Sequence, residues 1–189
     1  MLEKFLITNG NYDEILAHSE RLAEHNITKI YLRDKNLPLP IFRAFLGLKN
    51  VEIFVNYGDS STILAHKNIH LKGDELHLAK VLKSVDCFDS TRGVESRNDE
   101  KILSYSAHSL DDILKAHKAK IDYIFISPIF VLENKNPPLG IDFIKQIPRE
   151  IKPKIFALGG INANNIKAFE NLGIAGIAGI RAFDEIFGR

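Results

Sequence analysis

Eight short β-rich runs, separated by longer stretches of helical period, limit most sharply what this chain can fold into. The runs fall at residues 4–8, 29–33, 52–56, 68–71, 102–107, 123–127, 154–158 and 174–178. Helix-like segments between them include residues 12–25, 75–82, 110–118 and 164–171. In Ile15-Leu16, Ser19 and Leu22-Ala23, apolar or small residues recur at three- and four-residue spacing, which marks a face turned toward a sheet. Tyr123-Ile124-Phe125-Ile126 is a nearly continuous apolar run, as parallel strands covered on both faces require. Periodicity of this kind fits an open doubly wound sheet as well as a barrel. The last unit leans toward a barrel, because Gly173-Ile174-Ala175-Gly176-Ile177-Ala178-Gly179 is a small-residue strand suited to close packing and to backbone approach by a ligand. No Gly-x-Gly-x-x-Gly follows the first strand, which weakens the dinucleotide-binding alternative.

The chain has 189 residues, enough for one domain and near the lower end for an eight-unit barrel. Residues 1–189 therefore read as a single α/β domain with one polar insertion, residues 86–101, before the fifth strand. A formal charge of +1 gives no global field toward nucleic acid or an anionic membrane. The single cysteine, Cys87, cannot form an intrachain disulfide and fits a reducing compartment. The N-terminal run is too short and too mixed for a signal peptide, and no apolar stretch approaches a membrane span, so the cytoplasm is the expected location.

The local chemistry is densest near the end of the chain. Leu158-Gly159-Gly160-Ile161-Asn162 and Ala178-Gly179-Ile180-Arg181-Ala182 each end a strand and open a helix-like segment. Glycines at such points let peptide N–H groups approach an anion, and a helix N-terminus adds partial positive charge. In barrels the loops after the seventh and eighth strands commonly bind phosphate. The competing reading is that these glycines only relieve crowding at strand ends. His108 follows the fifth strand, where imidazole could move a proton near neutral pH; it could equally be a helix-start residue, since Ser109 and Asp112 form a capping-box variant. Arg33 suits bidentate grip of a carboxylate or phosphate, with Lys35 beside it. His18, His25, His66 and His117 read as solvated, and His70 as a hydrogen-bonded structural residue inside the barrel. Zinc spacing is absent from the cysteine and histidine pattern.

Several of these segments, in order, resemble the thiamine-phosphate synthase/TenI family: Tyr31-Leu32-Arg33-Asp34-Lys35, Phe54-Val55-Asn56, Ile69-His70-Leu71, Ser106-Ala107-His108-Ser109, Ser127-Pro128-Ile129-Phe130, Asn134-Lys135, Pro138-Leu139-Gly140, Gly159-Gly160-Ile161 and Gly179-Ile180-Arg181-Ala182-Phe183. The resemblance implies a (β/α)8 TIM barrel that binds a small phosphorylated thiazole and takes part in thiamine biosynthesis. It also implies two chemistries. The synthases join a pyrimidine pyrophosphate to thiazole phosphate with Mg²⁺. The TenI branch is a thiazole tautomerase that moves a proton to aromatise the ring and needs no metal.

The sequence departs from the synthase pattern at the pyrophosphate end. Tyr57 stands where a carboxylate metal ligand is usual, Tyr31 replaces a glutamine, Leu132-Glu133-Asn134-Lys135 replaces a hydroxyl-rich loop, and Arg181 stands where a serine is common. A phenol is a poor ligand for a hard cation. The leading expectation is thus a tautomerase without a cofactor. In it His108 is catalytic, Arg33, Lys35, Asn56, Asn134 and Lys135 bind substrate, and Gly159, Gly160, Gly179, Ile180 and Arg181 hold the phosphate. The alternatives are a diverged Mg²⁺-dependent synthase, using Asp74 or Glu75, and a non-catalytic thiazole or thiamine phosphate binder. No nucleic-acid or membrane partner is expected, and a homo-oligomer is left open.

Overall fold

The computed structural model describes residues 2–58, 66–84, 88–89, 94–95, 100–133, 137–180 and 183. Eight strands form one closed parallel barrel: β1 (Glu3–Ile7), β2 (Ile27–Leu32), β3 (Glu52–Asn56), β4 (Asn68–Leu71), β5 (Ile102–Ala107), β6 (Tyr123–Ile126), β7 (Ile155–Leu158) and β8 (Gly176–Gly179). Each strand pairs with its sequence neighbours, and β8 closes the ring on β1 with Phe5 opposite Ala178. The structure is the (β/α)8 barrel, and the doubly wound alternative is excluded. Within the segment expected as an insertion, Phe88–Asp89 and Val94–Glu95 pair as a small antiparallel ribbon. Its end does more than extend a loop: the ammonium of buried Lys101 donates to the His66 carbonyl at 3.1 Å.

Alternation along each strand divides the side chains into two cores. Ile30, Leu32, Ile53, Val55, Leu103, Ile124, Ile126 and Ile155 face outward into the layer beneath the helices. Phe5, Ile7, Tyr31, Phe54, Phe125, Phe156 and Ala178 face inward. Phe5 sits at the centre of the inner set, with ring centroids 5.0 Å from Phe54, 4.8 Å from Phe125 and 5.4 Å from Phe156. The contacts with Phe125 and Phe156 are edge-on, the favoured arrangement of aromatic quadrupoles. Toward the strands' N-terminal ends the interior turns ionic: Lys29 donates to Glu3 at 2.5 Å and lies 3.7 Å from Glu52 and 5.1 Å from the Tyr123 ring. Burial opposes the Lys29 charge, but the bond to Glu3 and the nearby negative groups outweigh it and raise its pKa.

The helices depart from expectation more than the strands do. The stretch 12–25 is two short helices, α1 (Tyr12–Ala17) and α2 (Arg21–Glu24), because His18 caps the first by bonding back to the Glu14 carbonyl through backbone and ring. α3 (Leu39–Leu46), opened by Pro38, is a helix that periodicity did not single out. The stretch 75–82 is a 3₁₀ turn, Gly73–Leu78, followed by α4 (Ala79–Lys83). α5 (Leu110–Lys118) has the expected bounds, and α6 (Phe143–Gln146) follows β6. The expected helix at 164–171 is only a 3₁₀ turn, Ile166–Phe169, with Asn171 at φ 65° and Gly173 at φ 76° ending it. The sequence also suggests a short helix over residues 184–187, which lie outside the described residues. Among the described residues no helix is long and apolar enough to cross a membrane.

Closure depends on one missing side chain. A Cβ at Gly176 would collide with the Glu3 carbonyl and stand 2.9 Å from the Phe156 ring, with β1 immediately alongside. Gly176→Ala is therefore expected to cost about 2 kcal/mol or more of stability, as overpacked barrel sites do. Urea unfolding checks this, and an unchanged midpoint would show that β1 and β8 can separate freely.

Candidate functional site

The C-terminal ends of the strands surround a cavity of about 1000 Å³. Its wall includes Tyr31, Arg33, His70, Lys72, Ser106, His108, Ser127, Glu133, Gly159, Gly160, Gly179 and Ile180. In an eight-stranded ring β3 stands opposite β7, and β4 opposite β8. Lys72 after β4 thus faces the glycine turn after β8, Arg33 after β2 stands opposite Ser127 after β6, and His108 and Ser127 lie on the arc between Lys72 and the glycine turns.

On the cationic side the organising group is Asn56. Its carboxamide oxygen accepts from the Tyr31 hydroxyl and from the Lys72 ammonium, each at 2.5 Å. Its NH₂ donates to the Arg33 carbonyl at 2.7 Å and to the Asp34 carbonyl at 3.3 Å. Asn56 is buried and outside the cavity wall, so it positions the binding groups rather than presenting itself to a ligand. Arg33 reaches the wall, whereas Lys35 is exposed and does not. Lys35 stands outside the wall because β2 ends at Leu32 and the chain turns at Asn36, φ 58°, so strand alternation does not carry its side chain inward. Lys72 was absent from the expected set. The alternation Asn68, His70, Lys72 would have found it, since all three fall on the inward register of β4 and its extension.

His108 is exposed at the rim. Its backbone N–H donates to Asp112 at 3.0 Å, and Ser109 accepts from the Asp112 N–H at 3.1 Å, so the start of α5 fixes the position of His108. The ring Nδ1 is 2.7 Å from the Ser127 carbonyl. A carbonyl only accepts, so Nδ1 carries the proton and the neutral ring keeps its lone pair on Nε2. The helix-start position thus still leaves the His108 ring on the cavity wall.

The glycine turns do two jobs. Gly159 and Gly160 have φ 101° and 71°, which favours glycine outright. A Cβ at Gly159 would stand 2.9 Å from Pro128 Cα, and one at Gly160 would stand 2.7 Å from Phe130 Cβ. Relief of crowding is thus real, while Gly159, Gly160 and Gly179 still line the cavity as bare peptide. The helix dipole expected behind Gly160 is not there: Asn165 accepts from the Asn162 N–H at 2.9 Å and donates to the Gly160 carbonyl at 2.9 Å, holding a turn instead of starting an α-helix. Asn134, Lys135 and Arg181 lie outside the described residues.

Among the described residues Glu133, on the loop after β6, is the carboxylate on the cavity wall, and the expected metal ligands are not. Asp74 is exposed, and Glu75 accepts from the Lys72 N–H at 2.7 Å; neither lines the wall. Tyr57 packs its ring against the outer core. Asp34 accepts from Tyr12 and Thr8. Among the described residues no three His, Cys, Asp or Glu side chains cluster as metal ligands. Mg²⁺ prefers carboxylate and water oxygens, and the described residues alone do not supply a cage for it. Two histidines also differ from expectation or meet it: half-buried His66 bonds the Ile53 carbonyl at 2.6 Å rather than standing in solvent, and His70 is a buried, hydrogen-bonded interior residue.

Sequence comparison with known proteins gives one consistent family. The family model described as "Thiamine monophosphate synthase" matches residues 5–183. A thiamine-phosphate synthase of Clostridium tetani is 36% identical over 161 residues, 80% of this chain and 71% of that protein. One from Prochlorococcus marinus is 37% identical over 112 residues, 58% of this chain but only 28% of that longer relative. Among solved structures, thiamine phosphate pyrophosphorylase from Pyrococcus furiosus aligns with a TM-score of 0.66 at 20% identity, covering 99% of this chain and 91% of its own; at that identity the likeness speaks to fold.

His70 gives the site a pH signature. Its ring contacts Ser104 at 2.9 Å and Ser106 at 3.0 Å, and burial, then the Lys72 charge, pushes its pKa down from 6.5 to about 3. Between those values the unfolded chain binds a proton that the fold refuses, so acidification favours unfolding. From about pH 7 to about pH 5 the parent should lose about 2 kcal/mol more stability than His70→Gln. Urea midpoints at the two pH values measure it; equal losses would contradict a neutral buried imidazole.

Proposed function

The chain belongs to the thiamine monophosphate synthase family, and from that premise we propose that it couples a pyrimidine diphosphate to a thiazole phosphate. The carrying observation is the presence of two anion-receptive regions on one cavity: Arg33 and Lys72 on the β2–β4 arc, the glycine turns on the β7–β8 arc. A reaction with two phosphorylated substrates needs both walls. In the coupling the thiazole nitrogen bonds to the pyrimidine methylene while the bond from that carbon to the diphosphate oxygen breaks, and the diphosphate leaves with the bonding pair. Fixed cations beside the leaving group stabilise the charge that grows on it. The names of the sequence relatives support this reading over the tautomerase expected from the altered pyrophosphate residues.

The tautomerase is the second reading, and His108 favours it. With Nδ1–H anchored on Ser127, Nε2 is the free base of a proton shuttle at the rim of the same cavity. A carboxylate and a phosphate would then occupy the two walls.

Purified protein given hydroxymethylpyrimidine pyrophosphate and thiazole phosphate, with and without Mg²⁺, is expected to form thiamine phosphate. Protein that binds thiazole phosphate yet forms no product under either condition would reject the coupling. On the tautomerase reading, His108→Ala should slow ring aromatisation about 100-fold or more. Undiminished aromatisation in that variant would remove His108 from the chemistry.

A further inference from the structure

Lys72 is the residue of this site that the family resemblance did not point to. It follows β4 on the inward register, is half-buried, and lines the same cavity as Arg33. Its position is built from several elements at once. The Asn56 oxygen from β3 accepts from Nζ and from the Tyr31 hydroxyl of β2, and Nζ lies 5.7 Å from the Tyr31 ring centroid. The same Asn56 holds the Arg33 carbonyl through its NH₂. Glu75 fixes the Lys72 backbone by accepting its N–H. A guanidinium and an ammonium thereby share one wall, and one carboxamide ties the Lys72 ammonium to the Arg33 backbone.

We infer that Lys72, acting with Arg33, is a substrate-binding residue that holds a diphosphate directly, without a protein-bound divalent ion. The inference rests on the coupling reading for the identity of the diphosphate substrate. An ammonium meets a polyanion as a compact point charge with three donors, where Arg33 offers paired donors in a fixed fork. Partial burial strengthens that attraction relative to open solvent. Among the described residues Glu75 is engaged by the Lys72 backbone and Asp34 by Tyr12 and Thr8, and Glu133, on the loop after β6, is the carboxylate that reaches the cavity. This wall therefore neutralises a polyanion with its own side chains.

Inorganic pyrophosphate is the probe, titrated calorimetrically into the full chain in buffer containing EDTA. The parent is expected to bind it. Lys72→Gln should bind about tenfold more weakly or worse, and Lys72→Arg, which keeps the charge, should lie between the two. Exposed Lys80 on α4 supplies the control, and Lys80→Gln should match the parent. Thiazole phosphate should bind Lys72→Gln within about twofold of the parent, since its phosphate sits on the opposite wall; that result also shows the variant is folded. Undiminished pyrophosphate binding by a folded Lys72→Gln would overturn the inference, as would parent binding that appears only on adding Mg²⁺. Lys72-dependent binding in a protein that forms no thiamine phosphate would sink the coupling reading and leave the inference standing. Thiamine phosphate formation with Lys72-independent pyrophosphate binding would do the reverse.

Discussion

Closing eight parallel strands into a ring forces every second side chain into an interior of fixed width, and the rest of the molecule follows from how that space is filled. At the N-terminal end Lys29 with Glu3 and Glu52 fills it ionically. In the middle the Phe5, Phe54, Phe125 and Phe156 rings fill it. Toward the C-terminal end the inward residues become polar or vanish: Asn56, His70, Lys72 and Ser106 on one side, Ala178 and the glycines on the other. The cavity is what the last layer leaves open. Gly176 permits the closure, and the glycines that follow β7 and β8 leave that part of the mouth lined by peptide.

Within the mouth, position is set by groups that do not themselves meet a ligand. Asn56 is buried and holds Tyr31, Lys72 and the Arg33 carbonyl. Asp112 and the Ser127 carbonyl do the same for His108. His70, packed against Tyr31 with centroids 4.3 Å apart and stacked on Phe125 at 5.2 Å, is a neutral spacer between hydroxyls rather than an acid or base. Such supports keep cations and imidazole in place before a substrate arrives, so less reorganisation is left for the reacting state.

The strands were legible because parallel strands covered on both faces read as apolar runs, and residues 52–56, 68–71 and 102–107 match the observed strands to the residue. The helices were less so, because side-chain bonds to the backbone set their breaks: His18 ends α1, and Asn162 with Asn165 replaces a helix by a turn. Periodicity carries no trace of such bonds. In the site, the glycine turns, His108 and Arg33 of the expected set line the cavity; Lys35 lies outside its wall, where the strand has already ended, and Lys72, where inward alternation runs one position past β4, was not in that set. Asn56 was expected as a ligand contact, and its role as an internal brace emerges only when β2, β3 and β4 are seen side by side.

The division of the cavity into a cationic wall and a glycine wall is tested most directly by a crystal structure of the chain with thiazole phosphate and inorganic pyrophosphate bound together. Thiazole phosphate should lie with its phosphate on the turns at Gly159, Gly160 and Gly179, and pyrophosphate should lie between Arg33 and Lys72. Pyrophosphate held away from Lys72, or both anions crowded on the glycine turns, would contradict the account.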